Sequence, residues 1–348
     1  MTILPIELWI KVLQHLYEDE GRSTDYESLM SCPLVCSSWR EHAQRCLFHS
    51  VGRDIYRYSD TRVSFEAAIH PSTERGKVLG SYVRKLNVNL DRIFNFTDGT
   101  LDMRGFTLLL SWCPRLYELS LYVFDILRFN EVEMAELQFI ANTVKLRALR
   151  LLRFGIQCTI AYQLISVWPT IQYFTAGSEI ATPPPLPLSI RLRELNFCRT
   201  SMRPRCLEWF LSGSETSLRI LKFRDTPGQL MKRFLAKHTP YLKSLRMQRY
   251  DKDSADILRL CTRLEELVLF QLPIFIEVND LPLTIEHFSF YFRATTCHPL
   301  IALVTTLPNL QAIKCDKDVE QYPDFAAIRS VCDAKHVQLK VHSSFYHD

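Results

Sequence analysis

The chain has 348 residues, of which 47% are hydrophobic and 23% are charged, a balance that is typical of a globular protein with one or two domains and a sizeable core. Its formal net charge of +4 is small for this length and does not support bulk nucleic-acid binding, which requires a concentrated basic face. Because no run of about 18 residues is apolar and uncharged, and because no basic segment precedes an apolar one at the N-terminus, we expect neither a membrane span nor a signal peptide.

The first amphipathic helical pattern begins near the N-terminus. Pro5 suits a first helical turn, where its missing N–H removes no hydrogen bond, and Glu7 suits the positive end of the helix dipole. The apolar residues that follow recur at the helical period and form one stripe, which consists of Leu8, Trp9, Val12, Leu13 and Leu16.

A polar and acidic stretch over residues 18–25 leads to a second helical pattern. After a helix around residues 26–31, we expect Pro33 to begin the next one, with Val35, Trp39 and Ala43 on one face. About 45 residues bury too little surface for comfortable independent stability, and each large apolar side chain left in water forfeits roughly 1.5–3 kcal/mol. We therefore expect this segment to pack on a partner or, as a helical cap, on the domain that follows.

The next part of the chain, residues 49–82, is predicted to be a junction and a first capping repeat. From residue 83 onward one six-residue pattern recurs. It consists of an apolar residue, two variable residues, a second apolar residue, one variable residue and a third apolar residue. The nine clear copies are Leu116/Leu119/Leu121, Leu146/Leu149/Leu151, Ile171/Phe174/Ala176, Leu192/Leu195/Phe197, Leu218/Leu221/Phe223, Leu242/Leu245/Met247, Leu264/Leu267/Leu269, Ile285/Phe288/Phe290 and Leu310/Ile313/Cys315. A weaker copy begins at Val83, and a strand over residues 337–341 is expected to close the array.

The mean spacing of the nine copies is about 24 residues, within the range of about 20–29 residues for leucine-rich repeats. The pattern resembles that family, although the usual Asn or Cys after the strand is mostly missing. Between the strands we predict helices over residues 106–112, 131–142, 159–167, 206–211, 230–238, 254–261 and 299–306. The predicted fold class is therefore α/β, with an all-helical segment (residues 1–48), the junction (49–82) and a repeat solenoid (83–348) with strands on the concave side and helices on the convex side. The link before Leu281 is too short for a full helix, and the proline run over residues 183–187 is expected to be a surface loop.

Residues 2–48 resemble an F-box in the order of four short motifs. These are Leu4-Pro5-Ile6-Glu7-Leu8, then Val12-Leu13 with Leu16, then Leu34-Val35-Cys36-Ser37-Ser38-Trp39-Arg40, and finally Leu47-Phe48. The polar insert after residue 17 is longer than the usual link. Together with the repeats, the chain is similar to fungal F-box proteins that carry leucine-rich repeats.

This resemblance implies a substrate-receptor subunit of a Skp/cullin/F-box ubiquitin ligase, which docks a Skp-type adaptor, and through it a cullin, and presents an unknown protein substrate. It assigns the adaptor-facing role to Leu4, Pro5, Leu8, Leu16, Leu34, Val35 and Trp39. Leu16 and Val35 could instead be internal to the F-box core. A repeat scaffold without a ubiquitin role is the alternative, and co-purification of the cullin would separate the two.

The substrate face is predicted from the variable positions beside the second and third apolar residues, which should point outward on the concave side. Arg150, Val268 and His287 occupy such positions, and the candidate substrate-binding set is Lys222, Arg224, Arg246, Gln248, Phe270 and Tyr291. Strand neighbours lie about 4.8 Å apart, so the three basic residues of this set should share a patch with the aromatic rings beside it. Such a patch suits an acidic or phosphorylated peptide, unless it is an ordinary solvated face diluted by nearby acids.

We expect no catalysis and no cofactor, since the chain has no Gly-rich phosphate loop, no Gly-x-Ser-x-Gly and no His-Glu-x-x-His. The most tempting zinc pattern is Cys32, Cys36, His42 and Cys46. If residues 34–46 form one helix, Cys36 and His42 lie about 9 Å apart along the axis and about 120° apart around it, too far to share a metal. Eleven scattered cysteines without paired spacing fit buried thiols in the cytosol or nucleus.

Overall fold

The computed structural model describes residues 26–35, 37–52, 59–91, 100–185, 190–197, 199–225, 227–272, 275–292 and 298–342. The chain divides into two compact units, Met1–Thr170 and Ile171–Asp348. The predicted boundaries at residues 48 and 82 both fall inside the first unit, and the division after residue 170 was not predicted.

The first unit combines helices with a parallel sheet of four strands in the order β1-β2-β3-β4. Its elements are α1 (Tyr26–Val35), α2 (Ser37–His49), β1 (Ser50–Val51), α3 (Ser59–Ile69), α4 (Glu74–Tyr82), β2 (Lys85–Asp91), α5 (Met103–Trp112), β3 (Glu118–Phe124), α6 (Glu131–Ile140), β4 (Ala148–Arg153) and α7 (Ile160–Val167).

The second unit holds eight parallel strands in chain order, β5 to β12. Its strands are β5 (Tyr173–Ala176), β6 (Glu194–Phe197), β7 (Ile220–Phe223), β8 (Ser244–Met247), β9 (Glu266–Gln271), β10 (His287–Phe292), β11 (Ala312–Asp316) and β12 (Gln338–His342). Its helices are α8 (Pro204–Leu211), α9 (Gln229–Leu235), α10 (Lys252–Leu258), α11 (His298–Thr306) and α12 (Phe325–Lys335). Short 3₁₀ turns lie at Thr239–Tyr241, Val278–Asp280 and Lys317–Gln321.

The predicted period is confirmed strand by strand, and the chain has a repeat-like α/β fold. Each of the nine clear copies begins a strand two residues after its first apolar residue, as with β3 at Glu118 after Leu116. The seven predicted helices are present with ends shifted by up to three residues, and only a 3₁₀ turn precedes Leu281. The helix α12 was not predicted, although its buried residues Phe325, Ile328 and Cys332 follow the helical period.

The repeats share a backbone signature at the start of their strands. Eight times among the described residues, two consecutive N–H groups donate to one carbonyl of the preceding repeat, as when Lys243 and Ser244 both donate to Arg219 at 2.8 and 3.0 Å. In three copies, a hydroxyl before the first apolar residue donates to a carbonyl of the preceding copy, as from Ser217 to Leu192 at 2.8 Å. These bonds tie neighbouring copies together at the start of these strands and satisfy buried backbone groups there.

Between strands and helices lies a continuous apolar core in each unit. In the second unit, the second apolar positions stand in register from Phe174 to Leu339 across all eight strands. The helix layer packs on this face of the sheet, where the ring of Phe210 in α8 lies 4.8 Å from that of Phe174 and 5.7 Å from that of Phe197. The opposite face carries the variable positions, and we call it the open face.

One predicted helix boundary is wrong. Pro33 does not begin a helix, because α1 starts at Tyr26 and runs through Pro33 to Val35, while α2 starts at Ser37. A proline inside a helix removes one backbone hydrogen bond, and here the helix ends within two residues of it. The single helix over residues 34–46 that was assumed in weighing a zinc site is therefore also wrong.

Loss of the Phe210 ring should destabilise the second unit. This ring is fully buried among Phe174 and Phe197, so we expect Phe210→Ala to lower the free energy of unfolding by about 3–5 kcal/mol. Chemical denaturation of the full chain measures the change. The matched control is Phe275→Ala, whose side chain is 67% exposed and whose loss should change the unfolding free energy little. Equal effects of the two changes would contradict this description of the core.

Candidate functional site

The adaptor-facing residues are described only in part. Leu4, Pro5, Leu8 and Leu16 lie outside the described residues. Leu34 and Val35 belong to the last turn of α1. The side chain of Trp39 in α2 is partly buried and packs against a small core made of Leu29, Cys32 and Ala43, together with Cys46 and Leu47. Trp39 therefore contributes to the interior of this helical segment as well as to its surface.

The two helices α1 and α2 pack on each other, and α2 also packs on the rest of the first unit. The rings of Phe48 and Phe65 lie 6.1 Å apart, and the guanidinium of Arg45 lies 5.4 Å from the ring of Tyr82 in α4. The α1 helix also presents an apolar side chain that sequence reasoning did not single out, since Met30 is 58% exposed beside the buried Leu29. The helical segment is thus attached to the first unit while part of its apolar surface remains in contact with water.

On the open face of the second unit, the register confirms the predicted neighbours. The middle row, between the second and third apolar positions, runs Asn196, Lys222, Arg246, Val268, Ser289, Lys314 and Lys340 across β6 to β12. Lys222 and Arg246 are paired positions on neighbouring strands. Lys314 and Lys340, which occupy the same position in later copies, were missed, although the repeat alignment contained the signal.

Two basic residues of the first predictions are engaged by carboxylates. The Nζ atom of Lys222 lies 2.8 Å from Glu194 in the neighbouring strand, with both side chains largely buried, so its charge is neutralised locally. In the first unit, Arg150 lies 3.4 Å from Glu118 in the same way. Arg224 is exposed, and its backbone N–H donates to Phe197 at 3.0 Å. The predicted patch therefore contains less free charge at Lys222 than the sequence suggested.

Arg246, Phe270 and Tyr291 come together as predicted. The guanidinium carbon lies 5.9 Å from the ring centre of Phe270 and 5.8 Å from that of Tyr291, and the ring centres lie 5.7 Å apart. The three groups thus form a nearly equilateral triangle, in which the cation contacts both rings. Gln248 directly follows β8 and is half-buried. Its backbone carbonyl accepts a hydrogen bond from the N–H of Gln271 at 2.8 Å.

Val268 is not exposed, which corrects the prediction for that position. It is only 1% exposed although it lies on the open face. Arg246 stands on β8 and its guanidinium reaches the ring of Tyr291 on β10, so its side chain extends across β9, the strand that carries Val268. His287 precedes the second apolar residue of its copy and is half-buried, with Nδ1 buried and without a hydrogen-bond partner.

Other chemistry is sparse among the described residues. No three His, Cys, Asp or Glu side chains converge there as a metal site, and Cys36 of the zinc pattern lies outside that part of the chain. Burial raises the pKa of the Cys113 and Cys261 thiols to about 12, which makes them poor nucleophiles near neutral pH. No helix in the described ranges is long and apolar enough to cross a bilayer.

Comparison with known proteins adds little. No protein family profile matches the chain, and no curated protein matches its sequence. A solved structure of a Bacteroides fragilis protein, determined as a structural-genomics target, matches with 11% sequence identity and a TM-score of 0.37. The match covers 66% of this chain and 66% of that protein, just under two thirds of its length.

The buried His238, which follows α9, should make stability depend on pH. Burial lowers the pKa of His238, against the opposing effect of a hydrogen bond with the Ser214 backbone. The unfolded chain then binds the proton more readily than the folded one, so stability falls as pH drops below the ordinary histidine value of about 6.5. We expect the thermal midpoint to decrease from pH 7 to pH 5.

Replacement of this histidine should remove part of that decrease. In His238→Gln, we expect a shallower pH dependence of the thermal midpoint than in the wild type, whereas the exposed His342→Gln should leave the slope unchanged. Parallel pH profiles for the wild type and His238→Gln would contradict a buried, neutral His238.

Proposed function

We propose that the chain is a substrate-receptor subunit of a Skp/cullin/F-box ubiquitin ligase that acts in the cytosol or nucleus and performs no chemistry of its own. The N-terminal helical segment would dock a Skp-type adaptor, and the leucine-rich repeats would hold a protein substrate. The observation that carries the proposal is the ordered F-box-like motif set of residues 2–48, placed ahead of a repeat array. A repeat scaffold without a ubiquitin role is the second candidate.

The helical segment has the physical character of a docking element. Among its described residues, only Leu29, Cys32 and Ala43 form a buried core, while Trp39 is partly buried and Met30 is largely exposed. Each large apolar side chain removed from water contributes roughly 1.5–3 kcal/mol, so a partner that covers this surface gains several such contributions. An apolar surface left on short helices favours association over isolation.

The repeats have the character of a receptor surface. Their apolar core is built from one face of each strand, so most side chains on the open face lie outside that core. Polar and aromatic side chains occupy that face at Arg246, Phe270 and Tyr291, and all three are half-buried. Surface side chains on a rigid scaffold are a common arrangement in protein recognition.

Adaptor binding should depend on the helical segment. We expect Leu8→Ala combined with Trp39→Ala to abolish co-elution with a co-expressed Skp-type adaptor in size-exclusion chromatography, because the apolar docking surface is lost. Point changes are preferable to removal of residues 1–48. Because α2 packs on α4, its removal would expose the surface of the first unit that it now covers. Val78→Ala, an exposed apolar position on α4, is the matched control and should retain the adaptor.

The result separates the candidate functions. Retention of the adaptor by the double variant would contradict the proposed docking surface. Loss of the adaptor supports the surface when the thermal midpoint shows that the variant is folded. Failure of the wild-type chain to bind any Skp-type adaptor would instead favour the scaffold. Co-purification of a cullin with the adaptor complex would support the ligase role, and adaptor binding without a cullin would count against it.

A further inference from the structure

We propose that the open face of the second unit over β9 to β12 binds a short, extended, acidic segment of a partner protein, whose Asp or Glu carboxylates contact Arg246, Lys314 and Lys340. The inference deepens the proposed function by naming the chemical class of the substrate segment, and it rests on that function only in taking a protein as the ligand.

The three cations share a property that distinguishes them from neighbouring basic residues. Lys222 lies 2.8 Å from Glu194, and Lys243 lies 2.7 Å from Glu265. Within the described chain, Arg246, Lys314 and Lys340 have no carboxylate within 4.0 Å. Their charge is therefore available to an incoming anion.

The guanidinium of Arg246 is displaced toward the two lysines. Although its backbone lies on β8, its guanidinium contacts rings on β9 and β10. The lysines follow on β11 and β12, where Lys314 and Lys340 are paired positions. The Nε atom of Arg246 is buried without a hydrogen-bond partner, so part of its donor capacity is unused.

The spacing of these groups sets the length of the ligand. From β9 to β12 the sheet advances three strand spacings, about 14 Å at about 4.8 Å each. An extended peptide advances about 3.3 Å per residue, so about four or five residues span the three cations. Alternate side chains of such a peptide point to the same side, and carboxylates at every second position would therefore face the sheet.

Two acids near this surface accept local hydrogen bonds. Asp316, on β11, accepts from the backbone N–H of Lys317 at 2.8 Å, and Glu266, on β9, accepts from the hydroxyl of Ser244 at 2.5 Å. Both carboxylates keep their charge, but they stand outside the middle row that carries the cations. The cationic side chains thus dominate the row over which the segment would lie.

The arrangement favours carboxylates over phosphate or nucleic acid. A phosphate dianion is best matched by several converging donors, whereas this surface offers single cations spread over four strands, and the other cation of the middle row, Lys222, is already paired with Glu194. Single-stranded nucleic acid needs accessible ring faces on which bases stack. Here the guanidinium of Arg246 and the mutual contact of Phe270 and Tyr291 cover part of those faces.

The test is fluorescence anisotropy with the full chain and a labelled heptapeptide that carries glutamate at alternate positions and alanine between them. We expect this peptide to bind at least about tenfold tighter than its glutamine counterpart, because the carboxylates supply the charge complementarity. Arg246→Gln with Lys314→Gln and Lys340→Gln should weaken binding by about tenfold or more. Lys237→Gln, at an exposed lysine that follows α9, is the matched control and should change affinity less than about twofold.

Defined outcomes would overturn the inference. These are equal binding of the glutamate and glutamine peptides, unchanged affinity in the triple variant, or binding only by a phosphoserine peptide or by labelled oligouridylate. If the triple variant has a lowered thermal midpoint, Lys340→Gln alone, at an exposed position of β12, must still weaken binding by about threefold.

The same variants distinguish this inference from the proposed function. The triple variant should still co-elute with the Skp-type adaptor, because none of its changed residues belongs to the helical segment. Peptide binding in a chain that never binds the adaptor would overturn the ligase role and leave the acidic-segment site standing. Adaptor binding without recognition of the glutamate peptide would overturn the acidic-segment site and leave the ligase role standing.

Discussion

Burial of an apolar strand face against the next copy is the interaction on which every repeat of this protein depends. A single strand with its short helix cannot cover its own apolar side chains, so its stability comes from neighbours on both sides. The in-register row from Phe174 to Leu339 in the second unit is the result. Paired N–H groups that donate to one carbonyl of the preceding copy, and the hydroxyls of Thr170, Ser217 and Thr284, hold the copies at the same spacing.

This constraint acts on one face of the sheet only, and the other face is consequently free to carry other chemistry. In the middle row of the second unit the cations stand in different electrostatic settings. Lys222 is neutralised by Glu194, whereas the guanidinium of Arg246 contacts the rings of Phe270 and Tyr291 on the next two strands. The surface is therefore not a uniform basic patch. Its unpaired positive charge lies across the sheet toward β12, where an acidic segment would bind.

The N-terminal helices are stabilised in a different way from the repeats. Their described core is so small that burial within the pair provides little free energy, and additional contacts through Phe48 and Arg45 attach them to the first unit. A segment that is attached at one side and apolar at another is suited to bridging the repeat array and a partner. The proposed docking of an adaptor would cover this apolar surface.

The sequence by itself determined where the strands lie, because alternation of apolar and variable residues is a local property that sets which face of a strand is buried. It placed Lys222, Arg246, Phe270 and Tyr291 on one face for the same reason. Only the tertiary structure decided which long side chains neutralise each other, that Val268 is covered, and that the helix α1 continues through Pro33. Flexible side chains select partners across strands, and a helix end depends on the packing around it, so neither can be read from a local pattern.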